Sequence, residues 1–226
     1  MSALVEARSV VCRYRNVVLD GVSVEIEAGS ITGVVGVSGA GKSTLARVLT
    51  GRRRPDAGAV LYKGSQVAGP MRALQYIPQD PMASFNPRMT NLEIVREPLD
   101  IAGLDGSPAL DWMRRLCLPE GCERRRPAEL SGGERRRLAM ARALVAGPEL
   151  VVLDETLSNL DAPVQLDICE TIAKLRKNVA FLVISHDFRL ILRLSERVIV
   201  LYRGRVVGLD HEHARQLRAA RMLLPC

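Results

Sequence analysis

The feature that most constrains this chain is the stretch GVVGVSGAGKST, Gly33 to Thr44. It begins inside a short apolar run, Ile31 to Val35, of the kind that forms a strand buried on both faces. It then reads Gly36-x-x-x-x-Gly41-Lys42-Ser43. Residues 44–50 follow with helical apolar spacing until Gly51 stops them, with Pro55 just beyond. Strand, glycine-rich loop and helix in that order are the context of a phosphate-cradling loop. Glycines let backbone N–H groups wrap around phosphate oxygens with no Cβ in the way, and the helix start adds its positive dipole end. Gly36, Ser38, Gly39, Ala40, Gly41, Lys42, Ser43 and Thr44 are therefore candidate phosphate-binding residues. Lys42 can reach the β- and γ-phosphates of a nucleotide, and the Ser43 hydroxyl can ligate Mg²⁺. From average composition an accidental match has odds on the order of one in a hundred for a chain this long, and the flanking elements lower them.

Other segments predict the surrounding fold. Val22 to Glu27 alternates apolar and polar residues, as a half-buried strand does. Ala59 to Tyr62 and Ala73 to Ile77 are further strand candidates, Leu150 to Leu153 and Val179 to Ser185 are buried strands, and a helix covers 162–176. Arg197 to Tyr202 and Arg205 to Leu209 read as a hairpin turning at Arg203-Gly204, with a closing helix to Leu224. From about Asp80 to Arg126 prolines recur between short helical patterns such as Leu110 to Leu118, which we read as a helical insertion. Buried strands alternating with helices predict an α/β fold with a largely parallel sheet.

The second chemical signal is Leu150 to Glu155, LVVLDE, a buried strand ending in two carboxylates. Standing alone, such an end is a solvated strand terminus. In an open parallel sheet, however, ligands bind beyond the C-terminal strand ends, where the glycine-rich loop must also lie. Asp154 is then placed to hold Mg²⁺ directly or through water, and Glu155 to polarise an attacking water.

The chain carries 32 basic against 25 acidic residues, a formal charge of +7, with arginine triplets at 52–54, 124–126 and 135–137. That raises nucleic acid as a partner. Behind Leu130-Ser131-Gly132-Gly133 a helix begins, and successive helical residues are about 100° apart, so Arg135, Arg136 and Arg137 fan around the axis. Leu138, Ala141 and Val145 give that helix its buried face, and the arginines read as a solvated surface with some salt bridges. Aromatic residues are only 4%, too few for interleaved base stacking, so no nucleic acid is expected. The cysteines at 12, 117, 122, 169 and 226 form no Cys-x-x-Cys pair and read as reduced thiols. The start MSALVEARSV shows no signal-peptide pattern, and no apolar run approaches the roughly 20 residues of a membrane span.

The glycine-rich loop, then Leu130-Ser131-Gly132-Gly133, then Leu153-Asp154-Glu155, then Ser158-Asn159-Leu160-Asp161, then Ser185-His186-Asp187, together resemble the nucleotide-binding subunit of an ATP-binding-cassette (ABC) transporter. The resemblance covers essentially the whole chain, residues 1–226, as one domain. It implies a P-loop ATPase core with a mainly parallel sheet, an N-terminal antiparallel β subdomain and an α-helical subdomain inserted at approximately 80–140. It implies two cassettes dimerised head to tail, each ATP held between the P-loop of one and the Leu-Ser-Gly-Gly turn of the other. Ser131, Gly132 and Gly133 would then meet the γ-phosphate of the facing site, as would His186 of its own. Asp161 would link the two sites, and Tyr14 would stack on adenine. Gln79 would sense Mg²⁺ and the attacking water, and would pass movement to membrane subunits.

Two departures stand out. The family usually writes Asp-Glu-Pro-Thr-Ser where this chain has Asp154-Glu155-Thr156-Leu157-Ser158, and loss of the proline should loosen that turn. Glu134 replaces the usual glutamine after Ser-Gly-Gly. The stretch Gln79 to Thr90, QDPMASFNPRMT, resembles the glutamine-loop segment of the oligopeptide, dipeptide and nickel importers. That implies a second cassette (a different chain, or a copy of this one), two transmembrane permeases and an extracytoplasmic binding protein, with this chain at the cytoplasmic face of the membrane. Soluble cassettes of DNA repair or translation share the motifs, but usually carry two cassettes or long coiled-coil or zinc insertions that this chain lacks between Lys42 and Ser131. An exporter cassette is a third alternative. After Asp210 only HEHARQLRAARMLLPC remains, where the family often has a longer extension, and His211 and His213 there read as a solvated helix start.

Overall fold

The computed structural model describes residues 3–158 and 160–210. In chain order the elements are β1 (Val5–Arg13), β2 (Val17–Ile26), β3 (Ile31–Val35), α1 (Lys42–Leu49), β4 (Ala57–Tyr62), β5 (Ser65–Gln66) and β6 (Leu74–Ile77). Then follow α2 (Asn91–Ile101), α3 (Pro108–Arg115), α4 (Gly132–Val145), β7 (Leu150–Asp154), α5 (Ala162–Leu175), β8 (Ala180–Ile184), α6 (Phe188–Leu194), β9 (Arg197–Tyr202) and β10 (Arg205–Asp210). The expected closing helix, His211, His213 and Asn159 lie outside the described residues.

Two sheets form. The smaller is antiparallel in the order β2-β1-β4-β5. The larger runs β10-β9-β3-β8-β7-β6, parallel from β9 to β6, with β10 added antiparallel at one edge. Strand residues alternate between faces, so each face of the larger sheet feeds a different core. Val151, Leu153, Phe181 and Val183 pack with α2 to α6, whereas Leu150, Val152, Leu182 and Ile184 pack with α1 and the smaller sheet. The result is a central sheet buried on both sides, which is why strands such as β7 and β8 read as apolar runs.

Strand β1 has no simple alternation in the sequence, because Ser9 sits at φ 46° and the register to β2 shifts after Ala7, Val10 and Cys12. Such bulges break the period-two pattern. Helix α2 was equally hard to anticipate, since it carries Pro98 inside it. The hairpin at Arg203-Gly204 forms as expected, with positive φ at both residues (47° and 75°). Helix α4 continues to Val145 and packs against β6 as well as α2 and α3, so the helical insertion grades into the core.

The arginines behind the Ser-Gly-Gly turn need correcting. Arg135 to Arg137 are half-buried, and Arg135 donates from Nε to the Pro127 carbonyl at 3.0 Å and from Nη2 to that of Ala128 at 2.9 Å. Arg142 forms an ion pair with Glu97 on α2 at 2.6 Å. These side chains bind the helical layer together.

Candidate nucleotide site

Four neighbouring parallel strands, β3, β8, β7 and β6, deliver at their C-terminal ends the glycine-rich loop, Ser185-His186, Asp154-Glu155 and Gln79. They open onto a cavity of about 1040 Å³ lined by Tyr14, Val18, residues 35–44, Arg47, Gln79, Glu155, His186 and Phe188. Residues scattered over the sequence meet there because parallel strands all present the same end to one side.

The loop is shaped by what crowds it. A Cβ on Gly36 would lie 2.2 Å from the Leu201 carbonyl oxygen, and one on Gly41, at φ 104°, would lie 2.7 Å from that of Val18. The hairpin tip supports it further, Gly204 N–H donating to the Ala40 carbonyl at 3.1 Å. Helix α1 starts at Lys42 with no acidic residue in its first turn, leaving a positive N-terminus at the cavity. Lys42 Nζ donates to the Gly36 and Val37 carbonyls at 2.8 and 3.1 Å, which holds its ammonium over the loop.

The two carboxylates separate. Asp154 is 3% exposed and does not line the cavity; its Oδ2 accepts from the Tyr76 hydroxyl at 2.9 Å, and its Oδ1 is buried without a partner. Burial foremost, then the Asp154 charge, pushes the Tyr76 phenol up to about 12. Glu155 sits at φ 52°, a conformation L-residues seldom adopt, and turns into the cavity. Its Oε2 meets His186 Nδ1 at 2.8 Å and accepts from the His186 N–H at 3.3 Å and the Ser158 hydroxyl at 2.5 Å. The turn that lacks the family's proline has contacts of its own. Thr156 is buried, with Oγ1 3.4 Å from the Ile77 and Asp154 carbonyls, and Gln165 Nε2 donates to the Leu157 carbonyl at 2.9 Å.

At the other end of the cavity Tyr14 is 55% exposed, with the Arg53 guanidinium 4.4 Å from its ring centre. Arg47 lines the same wall, and the neighbouring Tyr76 hydroxyl foremost, with Tyr14 a lesser neighbour, raises its pKa above the ordinary guanidinium value. Arg47, Tyr76 and Phe188 were missed in the sequence. The i+5 spacing from Lys42 to Arg47 carries no signal beyond helical facing, and Tyr76 reads as an ordinary strand residue.

Ser131, Gly132, Gly133 and Asp161 are not among the residues lining this cavity. Ser131 caps α4, accepting from Glu134 N–H at 3.3 Å, while the Glu134 carboxylate accepts from Ser131 N–H at 2.7 Å. That backbone hydrogen bond is the largest cause holding Glu134 below the ordinary carboxylate pKa. Ser131 and Gly132 are exposed, and Asp161 caps α5 with no side-chain bond to it. All four lie outside the lining of their own chain's cavity.

The donor set fits Mg²⁺. Ser43 and Gln79 line the cavity, and the orphaned Asp154 Oδ1 behind it is a hard oxygen donor whose burial is otherwise uncompensated. No group of three or more His, Cys, Asp or Glu among the described residues forms another metal site.

A family profile described as ABC transporter matches residues 19–158. The nickel import ATP-binding protein NikE of Pseudomonas putida is 38% identical, covering 90% of this chain and 83% of its own length. The oligopeptide transport ATP-binding protein AppF of Bacillus subtilis is 34% identical, covering 86% of this chain but only 64% of its own length. Among solved structures, a dimeric ATP-binding cassette in a post-hydrolysis state with ADP and Pi superposes with a TM-score of 0.83 at 25% identity, over 91% of this chain and 97% of that one. A profile spanning more than half of the residues, relatives matching most of the chain and a shared fold agree: the chain belongs to the ABC transporter family.

Proposed function

We propose that this chain is the ATP-hydrolysing subunit of an ABC importer for peptides, nickel or a related metal complex. The observation that carries the reading is the convergence of the glycine-rich loop, Gln79, Glu155 and His186 on one cavity, with Asp154 directly behind it. In this reading Tyr14 stacks on adenine, the backbone N–H groups of residues 38–44 hold the phosphates, and Lys42 turns from the loop carbonyls toward the β- and γ-phosphates. Glu155 takes the proton of the attacking water, while His186 holds that carboxylate and contacts the γ-phosphate. Ser43, Gln79 and Asp154 would hold Mg²⁺, which supplies positive charge to the phosphate oxygens when bound.

The Ser131-Gly132-Gly133 turn, with Ser131 and Gly132 exposed and outside its own chain's cavity, supports a head-to-tail pair of cassettes. No helix among the described residues is long and apolar enough to cross a membrane. In this reading the chain works with two partner permeases, a second cassette and an extracytoplasmic binding protein, at the cytoplasmic face of the membrane. A mild-detergent pull-down of tagged chain from its host, read by mass spectrometry, tests this. Permeases and a second cassette are the expected partners; ribosomes or repair proteins without a membrane protein would overturn the transport reading.

A further inference from the structure

Among the described residues, a single hydrogen bond reaches the Asp154 side chain, and it comes from Tyr76. The strand register explains how. Tyr76 on β6 pairs with Val152 on β7, and Asp154 lies two residues further along the same face, within reach of a long aromatic side chain. The ring has a cationic neighbour, the Arg52 guanidinium 5.6 Å from its centre. Tyr76 is also among the residues lining a second cavity, about 390 Å³, with Phe85, Pro98 and Arg142. On its other side the hydroxyl neighbours Arg47, which lines the nucleotide cavity.

We infer that Tyr76 is a positioning residue for the cation: its hydroxyl fixes Oδ2 of Asp154 and thereby leaves Oδ1 as the oxygen turned to Mg²⁺. A carboxylate buried this deeply and held by no donor would rotate about its terminal torsion and lose the compensation that burial of its charge demands. With one oxygen tied to the Tyr76 hydroxyl, the other keeps one direction. Tyr76 also lines the second cavity, so one residue borders both that cavity and the cation-binding carboxylate. The inference rests on the reading of the main cavity as a Mg²⁺-nucleotide site.

The test is a fluorescence titration of the full chain with methylanthraniloyl-ATP, first in EDTA and then against rising Mg²⁺. The wild-type chain is expected to bind in EDTA and to tighten with Mg²⁺. Tyr76→Phe keeps the ring and should bind in EDTA as the wild type does, while needing about fivefold more Mg²⁺ for half of the tightening, the size expected for loss of a charge-assisted hydrogen bond. In an Asp154→Asn background the same change should add nothing, which a general structural effect would not reproduce. Tyr76→Leu, removing ring and donor together, is the second variant and should show the Mg²⁺ shift as well. Equal Mg²⁺ midpoints in wild type and both variants, or an equal loss of binding in EDTA, would overturn the role of Tyr76 and leave the nucleotide site standing. Absence of nucleotide binding by the wild type would remove both.

Discussion

Glu155 meets His186 Nδ1 at 2.8 Å from a backbone held at φ 52°. The left-handed turn is what rotates this carboxylate away from Asp154, its chain neighbour, and into the cavity above β8. The Glu155 N–H is secured to the Ile184 carbonyl at 2.9 Å, so the unfavourable conformation is maintained by the adjacent strand.

That geometry makes Glu155 the base to test. Glu155→Gln preserves shape and the bond to His186 but cannot accept the proton of water. ATP binding should survive, while turnover falls by about 100-fold or more. Size-exclusion chromatography with ATP should then show an accumulated pair of cassettes. Unchanged turnover would remove Glu155 from that role.

Lys42→Ala should act on binding itself. The ammonium held over Gly36 and Val37 is the one lysine among the described residues that lines the cavity, and its loss should weaken ATP by about tenfold or more, as expected for a charge-assisted contact. Equilibrium dialysis with labelled ATP measures this, and normal binding would count against the loop assignment.

Tyr14→Ala tests the base end. Stacking of a base on an aromatic ring is worth about 1–3 kcal/mol by alanine substitution, and Arg53 already covers part of the Tyr14 ring. ATP and GTP should both lose affinity, since stacking is tolerant of the base, whereas inorganic triphosphate competition should be unaffected.

Glu134 supplies a pH test. Its folded pKa lies below the ordinary carboxylate value, chiefly through the Ser131 N–H. A depressed acid stabilises the fold above its unfolded pKa, and that contribution is lost as pH falls through the folded value. Glu134→Gln keeps an acceptor for the cap but carries no charge to titrate. Its urea midpoint should therefore fall less steeply than the wild type's below about pH 4.5, the range of an unperturbed glutamate.

Much of this molecule is legible before folding. The buried strands 31–35, 150–153 and 179–185 announce themselves because both their faces are covered, so they read as largely apolar runs. The glycine-rich loop is legible for a related reason. Only glycine fits where Leu201 and Val18 carbonyls approach within the space of a Cβ, so the residue type itself records the contact. Strand β1 was hidden by its bulges, and α2 by Pro98.

The amino-acid sequence by itself determined the main buried strands, their alternation with helices, and the glycine-rich loop that lines the cavity. These are local properties, written in periodicity and in residues with few conformational choices. Only the tertiary structure decided which side chains share the site. It separated Asp154 from Glu155 through one positive φ, set Tyr76 against Asp154 through strand register, and brought Arg47 beside Tyr14 through helix packing. It also left Ser131 and Asp161 outside their own chain's cavity. Such relationships join residues far apart in the chain, where no local spacing can encode a contact that packing alone creates.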